Sequence, residues 1–205
     1  MAKAPNRVRT NDPIGLRNRL LDAAATAFQS RGYDATSIHD LTRETGVSGG
    51  ALHHHFPTKK SLALAVIDER VAAEVGSTWI DRVAAAPTAA QGIVAVFKAV
   101  AESLDQQGSV GGCPLGNLAS ELSLDDEELR ASLARRYESW RGAIAAKIEE
   151  DRDSGRAAYA ADPAAFANIV IALFTGALTL GKAEQSTVAL RGAERQMRAW
   201  MAADL

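Results

Sequence analysis

The sequence predicts an all-α protein, on three observations. Alanine, the strongest helix former, is abundant in the 205-residue chain, whereas aromatic residues make up only 5% of it. Alternating runs of β-branched residues, which would indicate strands, do not occur. Apolar residues recur instead at helical spacing, between residues that cap or break helices. We therefore expect about nine helices, with an N-terminal three-helix domain in residues 1–60 and a helical bundle in residues 61–205.

Caps and breakers set the boundaries of these helices. Pro13 opens the first helix after Asp12, because proline is well tolerated at the first helical position. Pro87 ends the long fourth helix, Thr88 caps the fifth, and Asp125 is expected to cap the seventh. The boundaries predicted in this way lie at about residues 13–31, 38–45, 49–56, 58–85, 89–107, 113–122, 126–154, 163–185 and 187–203.

Residues 36–62 predict two short helices joined by a tight turn, with a third helix directly after them. Ser37 and Ser48 stand where N-caps are needed. Gly46 ends the first of the two helices, since glycine takes a left-handed turn without steric cost. Pro57 stops the second helix. This is a helix-turn-helix, an element that places one helix in the major groove of DNA.

The same segment resembles the tetracycline-repressor (TetR/AcrR) family without a gap from about Arg17 to Asp68. The resemblance rests on Ala24, Phe28, Gly32, Thr36, Gly46, Val47, Ser48, Leu52, Phe56 and Lys59. Gly49 stands where the family often has lysine and His53 where it often has tyrosine, so the family's base contacts are not carried over. The resemblance implies a DNA-binding domain in residues 1–60, a ligand-binding and dimerisation domain in residues 61–205, and a ligand-responsive transcriptional regulator, most often a repressor.

Charge is distributed as this interpretation requires. Residues 1–60 hold nine Lys and Arg against five Asp and Glu, whereas residues 61–205 hold fourteen against twenty. A basic N-terminal part is the expected footprint of phosphate contact. Residues 1–12, with Lys3, Arg7 and Arg9, are expected to form a flexible arm, which either contacts the DNA backbone or is simply a solvated start.

Chemistry and position suggest the residues that contact DNA. We expect phosphate contacts from Thr36, Lys59, His53 and His54, and contacts in the groove from the start of the third helix, where Ala51 could touch a thymine methyl group. Arg43 could reach backbone or base. The full predicted set is Thr36, Arg43, Ser48, Gly49, Gly50, Ala51, His53, His54 and Lys59. Three consecutive histidines cannot converge on one ion, because neighbouring helical residues point about 100° apart, so no metal is expected.

The eighth and ninth helices are expected to form the interface of a homodimer. The eighth is apolar around most of its circumference, which indicates burial on more than one side. In the family, two such helix pairs form a four-helix interface, and a dimer would read a palindromic double-stranded operator. The alternative is an ordinary intramolecular core. The predicted interface residues are Phe166, Val170, Phe174, Leu178, Met197 and Trp200.

The stretch GGCPLGNLASEL, residues 111–122, resembles a pattern in a subgroup of the family, beginning Gly-Cys and continuing Gly-Asn-Leu-Ala. Cys113 would lie near a helix N-terminus, where unpaired N–H groups favour a reactive thiolate. Lys182 could lower the thiol pKa further or pair with Glu121. Cys113 is therefore either a sensor of electrophiles and oxidants or a small packing residue. Asn117 and Glu121 either line a ligand chamber or cap helices.

The small-molecule effector would occupy an apolar chamber in the C-terminal bundle. Its candidate lining is Phe97, Val100, Leu104, Leu118, Glu121, Tyr137, Trp140 and Phe166, with Cys113, Asn117 and Lys182 nearby. A structural core would explain the same residues equally well.

Other classes of protein fit the sequence poorly. No nucleophile–base set, phosphate loop or metal-ligand set is visible, so we expect neither an enzyme nor a cofactor. No apolar run of about 20 residues and no signal peptide is expected, and a single cysteine suits a reducing cytoplasm. Two alternatives stay open: a regulator with a reversible apolar ligand and a structural cysteine, and a helical interaction module without DNA binding.

Overall fold

A computed structural model describes residues 12–156 and 162–202 of the 205-residue chain. Within those ranges the protein contains nine helices and no strand, so the all-α prediction is confirmed. The predicted N-terminal arm lies outside the described residues, apart from Asp12. The helices are α1 (Pro13–Arg31), α2 (Ile38–Thr45), α3 (Gly49–His55), α4 (residues 59–85), α5 (Ala89–Gln107), α6 (Pro114–Leu122), α7 (Glu127–Asp153), α8 (Pro163–Glu184) and α9 (Val188–Ala202).

Local capping explains most of these boundaries. The side chains of Asp12, Thr88 and Asp162 each accept a hydrogen bond from an amide in the first turn of the helix that follows. The predicted cap of α7 was wrong by one residue. Asp126, and not Asp125, accepts from the amides of Glu128 and Leu129, at 2.9 and 3.1 Å.

The long helix α4 is continuous but not uniform. Two stretches, Val66–Val71 and Gly76–Ile80, wind as π-helix, and α-helical turns lie between and beyond them. Apolar spacing predicted one long α-helix, because periodicity does not reveal where a wider turn is inserted. Such π segments occur often at functional sites. Here they lie in the part of α4 that runs from the N-terminal helices into the C-terminal bundle.

An aromatic cluster holds the C-terminal bundle together. The ring centroid of Trp79 on α4 lies 5.7 Å from that of Phe97 on α5, 5.1 Å from that of Trp140 on α7 and 4.8 Å from that of Phe174 on α8. All four side chains are buried. Each ring comes from a different helix, so the cluster fixes how α4, α5, α7 and α8 pack together.

The structure corrects the predicted dimer interface. Val170, Phe174, Leu178 and Met197 are buried within the single chain, and Phe166 is partly buried, so five of the six predicted interface residues belong to or pack on the intramolecular core. The large apolar side chains that remain exposed on α8 and α9 are Ile169, Leu180, Val188 and Trp200. Apolar periodicity identified the right helices, but it cannot tell which side of an almost entirely apolar helix faces inward.

Helix α8 also corrects the expectation about long apolar runs. Among the described residues, it is the one helix whose length and composition would suffice to cross a membrane. Core helices of soluble proteins share these properties, and α8 buries one side against α7 and α9.

Candidate nucleic-acid interface and ligand cavity

Local hydrogen bonds, between residues three positions apart in the chain, stabilise the helix-turn-helix. Ser37 Oγ accepts from the amide of Asp40 at 3.0 Å, and Ser48 Oγ accepts from the amide of Ala51 at 3.3 Å. Gly46 lies between the two helices at φ 67°, where a side chain would be strained. Leu41, Val47, Leu52 and Phe56 are all buried. The turn and its capping residues thus hold α3 on the surface of a small core.

The exposed surface of α3 carries most of the predicted DNA-contacting residues. Ser48, Gly49, Gly50, His53 and His54 are exposed, and Ala51 is partly exposed. A Cβ atom placed on Gly49 or Gly50 would meet no heavy atom within 4 Å. The backbone at the start of α3 is therefore open to close approach by a partner. No group of His, Cys, Asp and Glu suited to a metal ion occurs in the described part of the chain.

Arg43 is exposed on α2 but paired, since Nη2 lies 2.7 Å from Oδ1 of Asp40. The Ser37 hydroxyl donates to Asp40 at 2.7 Å, and this bond, together with Arg43, lowers the pKa of Asp40. Arg43 could reach DNA by exchanging the Asp40 carboxylate for a phosphate or a base.

Two predicted phosphate contacts at the edge of this surface differ from each other. Thr36 is fully buried and its hydroxyl donates to the carbonyl of Gly32 at 2.7 Å, so the predicted side-chain contact with phosphate was wrong. Lys59 is half-buried. Its ammonium group donates to the carbonyl of Asp34 at 3.3 Å and lies 4.1 Å from the ring centroid of Tyr33. This burial lowers the pKa of Lys59.

A cavity of about 680 Å³ lies between α1, α4, α5 and α6. Trp140 of α7 and Phe174 and Leu178 of α8 also line it. Of the predicted lining, Val100, Leu104, Cys113, Leu118 and Trp140 contribute to the wall, whereas Phe97, Asn117, Glu121, Tyr137, Phe166 and Lys182 do not. A volume of this size suits a small organic molecule.

The sequence analysis missed the polar part of this wall. Arg70, Glu74, Thr78 and Arg82 of α4 line the cavity, and so does Gln29 of α1. The four residues of α4 are spaced four apart, which places them on one side of the helix. That spacing is visible in the sequence and was a usable signal.

Glu74 is the unusual member of this group. Its carboxylate has no hydrogen-bond or ion-pair partner among the described residues. The side chain is exposed where it lines the cavity, and partial desolvation by the surrounding protein atoms raises its pKa. Arg70, by contrast, is paired, with Nε 2.6 Å from Oδ1 of Asp22.

Cys113 caps α6 from a buried position, with Sγ accepting from the amide of Gly116 at 3.5 Å. Burial raises the pKa of the thiol to about 11, which outweighs the opposing effect of the Gly116 and Leu115 amides, and the Glu74 carboxylate raises it further. The thiolate expected from the helix terminus is therefore disfavoured in this structure. Helix dipoles act weakly against the loss of solvation around a buried charge.

Lys182 has neither of its two predicted roles. Its side chain is exposed and packs across Gly112, where Cδ would lie 3.2 Å from an added Cβ. Glu121 is occupied elsewhere, as described below. Tyr137 lies behind the wall, stacked on Trp140 at a centroid distance of 6.3 Å, and burial and then Cys113 raise its pKa to about 12.

One set of hydrogen bonds joins α1 to α6 at the rim of the cavity; we call it the Gln29 clasp. Gln29 Nε2 donates to the carbonyls of Gly111 and Gly112, at 3.0 and 2.9 Å. Asn117 Nδ2 donates to Gln29 Oε1 at 3.0 Å and to the carbonyl of Gly111 at 2.9 Å. Asn117, predicted as a chamber anchor or a cap, is instead a link between two helices.

A second set, the Glu121 anchor, joins α6 to the turn between α1 and α2. The Glu121 carboxylate accepts from the amides of Tyr33 and Asp34, at 2.6 and 3.4 Å. Gly32, at φ 90°, allows this approach, because a Cβ there would lie 2.9 Å from Oε1 of Glu121. The same turn receives Lys59 from α4. The Gln29 clasp and the Glu121 anchor therefore tie a cavity-lining helix to α1 and to the turn that leads into the helix-turn-helix.

Comparison with known families agrees with this architecture. The family model described as "Transcriptional regulator LmrA/YxaF-like, C-terminal domain" matches residues 89–196, and the one described as "Bacterial regulatory proteins, tetR family" matches residues 20–66. The chain belongs to the TetR family. This TetR-family protein is a DNA-binding transcriptional regulator, as the sequence analysis predicted.

Relatives of this regulator extend the match along the chain. HTH-type transcriptional regulator LmrA of Bacillus subtilis (strain 168) is 30% identical over 135 residues, 65% of this chain and 71% of LmrA. HTH-type transcriptional repressor DhaR of Mycobacterium sp. (strain GP1) is 28% identical over 174 residues, 83% of this chain and 84% of DhaR. A TetR transcriptional regulator from Chloroflexus aurantiacus J-10-FL superposes with a TM-score of 0.83 at 26% identity, covering 94% of this chain and 96% of that structure.

These matches concern the family as a whole. The subgroup suggested by the Gly-Cys motif stays a prediction, as does the division of this TetR-family chain at residue 60, which falls just inside α4. Relatives named as regulators and repressors are consistent with the expectation that the protein is not an enzyme.

Proposed function

We propose that the protein is a repressor that binds a palindromic operator as a homodimer and leaves it when a small molecule enters the cavity. One observation carries this proposal: α6, which lines the cavity, is hydrogen-bonded to α1 and to the α1–α2 turn of the N-terminal domain through the Gln29 clasp and the Glu121 anchor. TetR-family regulators bind operator DNA as dimers and respond to effectors, and this chain offers a direct physical connection between the two activities.

The N-terminal end of α3 is the part that would enter the major groove. Its open backbone at Gly49 and Gly50 permits close approach, and Ala51 offers a methyl group to thymine. His53 and His54 lie further along the exposed side and suit phosphate oxygens. Arg43 and Lys59 would contribute cationic contacts from either side of α3.

The dimer would form through the exposed apolar strip on α8 and α9. Ile169, Leu180, Val188 and Trp200 are exposed there, and Gly176 adds a position where a second helix could approach closely. Such a dimer would place two recognition helices about 34–36 Å apart, the spacing of successive major grooves. A DNA-binding regulator of this kind acts in the cytoplasm, where the operator lies.

Ligand binding would be coupled to DNA release through a change in the position of α6. A ligand that pushes against Cys113 or Leu118 displaces α6, and the Gln29 clasp and Glu121 anchor transmit that displacement to α1 and the α1–α2 turn. The effector acts only by binding more tightly to the released state than to the DNA-bound state. Because Cys113 is buried with a raised pKa, we favour a reversible ligand over covalent modification.

Binding to the DNA upstream of its own gene, measured by fluorescence anisotropy at 50 and 200 mM KCl, tests the proposal. Arg43→Ala should weaken binding by about tenfold. Arg130→Ala is the matched control, since Arg130 is also exposed and paired with an acid three residues away, but on α7. Equal affinity of the two variants would remove Arg43 from the interface. Absence of binding at 50 mM KCl would favour a helical module that does not bind DNA.

A further inference from the structure

We propose that the protein takes up protons when it binds DNA, through His53 and His54, so that acidification acts as a second effector beside the ligand of the cavity. This inference rests on the proposed function, because it concerns the phosphate contacts of the same helix-turn-helix. Protons would strengthen operator binding, whereas the cavity ligand would weaken it.

The helix that would enter the groove, α3, holds no permanent positive charge. No Lys or Arg occurs between Arg43 on α2 and Lys59 at the start of α4. All four histidines of the chain lie in this domain, at residues 39 and 53–55. Histidine is the side chain whose charge ordinarily changes between about pH 5 and 8. Helix α3 can therefore become cationic only by taking up protons.

His53 and His54 lie on the part of α3 that would meet DNA. His53 follows Gly49 by one helical turn, and His54 follows Gly50 in the same way, so each pair shares a side of the helix. Both imidazoles are exposed, and the positions of both glycines are open. Helical side chains lean toward the N-terminus of their helix, which brings these rings toward the end that would enter the groove.

His55 differs from its two neighbours because it is part of the packing of α3. It is half-buried, and its ring centroid lies 5.4 Å from that of His54 and 6.3 Å from that of Phe56. The proposal therefore concerns two histidines in each protomer.

The surroundings of α3 leave His53 and His54 without a counter-ion. Helices α1 and α2 pack against α3, and α4 follows it. Three acids on α1 and α2 each bind an arginine, in the pairs Asp22–Arg70, Asp40–Arg43 and Glu44–Arg31. The other ionisable groups of these elements and of the α1–α2 turn are Asp12, Arg17, Arg19, Tyr33, Asp34, His39, Lys59 and Lys60. Among the residues that the structure describes, no carboxylate is paired with either imidazole, so a proton there stays uncompensated until an anion such as phosphate approaches.

Most permanent cations of this domain, by contrast, are already neutralised. Besides Arg31 and Arg43, acids bind Arg17 and Lys60, in contacts with Glu69 and with Asp126 and Glu128, respectively. A phosphate would have to displace a carboxylate from each of these cations. A protonated imidazole on α3 can bind phosphate without any such exchange, so the two histidines should contribute strongly to affinity when they are charged.

The direction of the effect follows from the linkage between proton binding and DNA binding. A phosphate beside an imidazolium ion favours the charged form, so the DNA complex holds these protons more tightly than the free protein does. Operator affinity should then be highest near pH 6 and fall as the pH rises toward 8. Each additional contact between a cation and a phosphate also releases a counterion, which makes binding more dependent on salt.

Fluorescence anisotropy with the upstream DNA at pH 6 and pH 8 provides the test. The unmodified protein should bind about tenfold more tightly at pH 6, or more. The plot of log affinity against log KCl concentration should be steeper at pH 6, by about 0.9 for each histidine that gains a phosphate. His53→Gln combined with His54→Gln, which keeps hydrogen-bonding groups but cannot titrate, should have the same affinity at both pH values within about twofold. His39→Gln, on α2 next to Asp40, is the matched control and should keep the full pH dependence.

The outcomes separate this inference from the proposed function. Equal affinity at pH 6 and pH 8, an unchanged salt dependence, or a pH dependence that survives in the double variant overturns the inference. Calorimetric titration of the unmodified protein with DNA, in two buffers of different protonation enthalpy, counts the protons taken up and needs no variant; an uptake of zero also overturns it. Failure to bind DNA at either pH overturns the proposed function instead, whereas binding that is independent of pH leaves that function intact.

Discussion

Replacing Glu121 with alanine should destabilise the protein, because the Glu121 carboxylate accepts hydrogen bonds that no other described group replaces. Its bond from the amide of Tyr33 is short, at 2.6 Å, whereas the one from the amide of Asp34 is 3.4 Å long and contributes little. A hydrogen bond to a charged group contributes about 1.5–3 kcal/mol. Glu121 is half-buried, so water can partly replace it, and we expect a loss near 1.5 kcal/mol, the low end of that range.

Urea unfolding followed by circular dichroism measures this loss. Protein concentration must be the same for all variants, since the stability of a dimer depends on it. The matched control is Glu138→Ala, which removes an exposed carboxylate from the middle of α7 and should change stability by less than about 0.5 kcal/mol. If the two variants unfold at the same urea concentration, the Glu121 anchor contributes nothing to stability and the reasoning is refuted.

Three further changes test other parts of the structure. Gly32→Ala should cost about 1–3 kcal/mol in thermal unfolding, because Gly32 has φ 90° and lies against Glu121, whereas Gly142→Ala, at an open helical position, should be neutral or stabilising. Leu180→Glu should give monomers in light scattering with unchanged helix content; a persistent dimer would place the interface elsewhere. Because the pKa of Cys113 is raised to about 11, its thiolate fraction at pH 7.5 should be roughly 300-fold below that of a free thiol. Alkylation by iodoacetamide, followed by mass spectrometry, should therefore be slow and accelerate up to about pH 11, and rapid labelling at pH 7.5 would revive the sensor hypothesis.

The helix-turn-helix was predictable because its determinants are close together in the chain. Ser37, Gly46 and Ser48 act on amides or turns within a few residues of themselves, so their roles can be recognised without knowing what packs around them. The same holds for the helix boundaries, since caps and prolines act within one turn. The error at Asp125 and Asp126 arose because both residues are acceptable caps and their backbone geometry was not known.

Residues whose roles depend on a distant partner were not predictable in this way. Val170 and Phe174 were assigned to a dimer because α8 is apolar on nearly all sides, and its packing against α7 and α9 alone decides which side faces inward. The sequence revealed that Cys113 lies at a helix terminus, but it did not reveal that the side chain is buried. Burial determines the pKa of the thiol.

The sequence by itself determined the family, the nine helices and the DNA-binding element of this protein, because these depend on local spacing and capping. Only the tertiary structure decided that Thr36 is buried, that Glu74 lies unpaired in a cavity, and that Glu121 binds the turn after α1. Those facts depend on how the helices pack against one another, and the pattern of residues in one segment does not specify which other segment will lie against it.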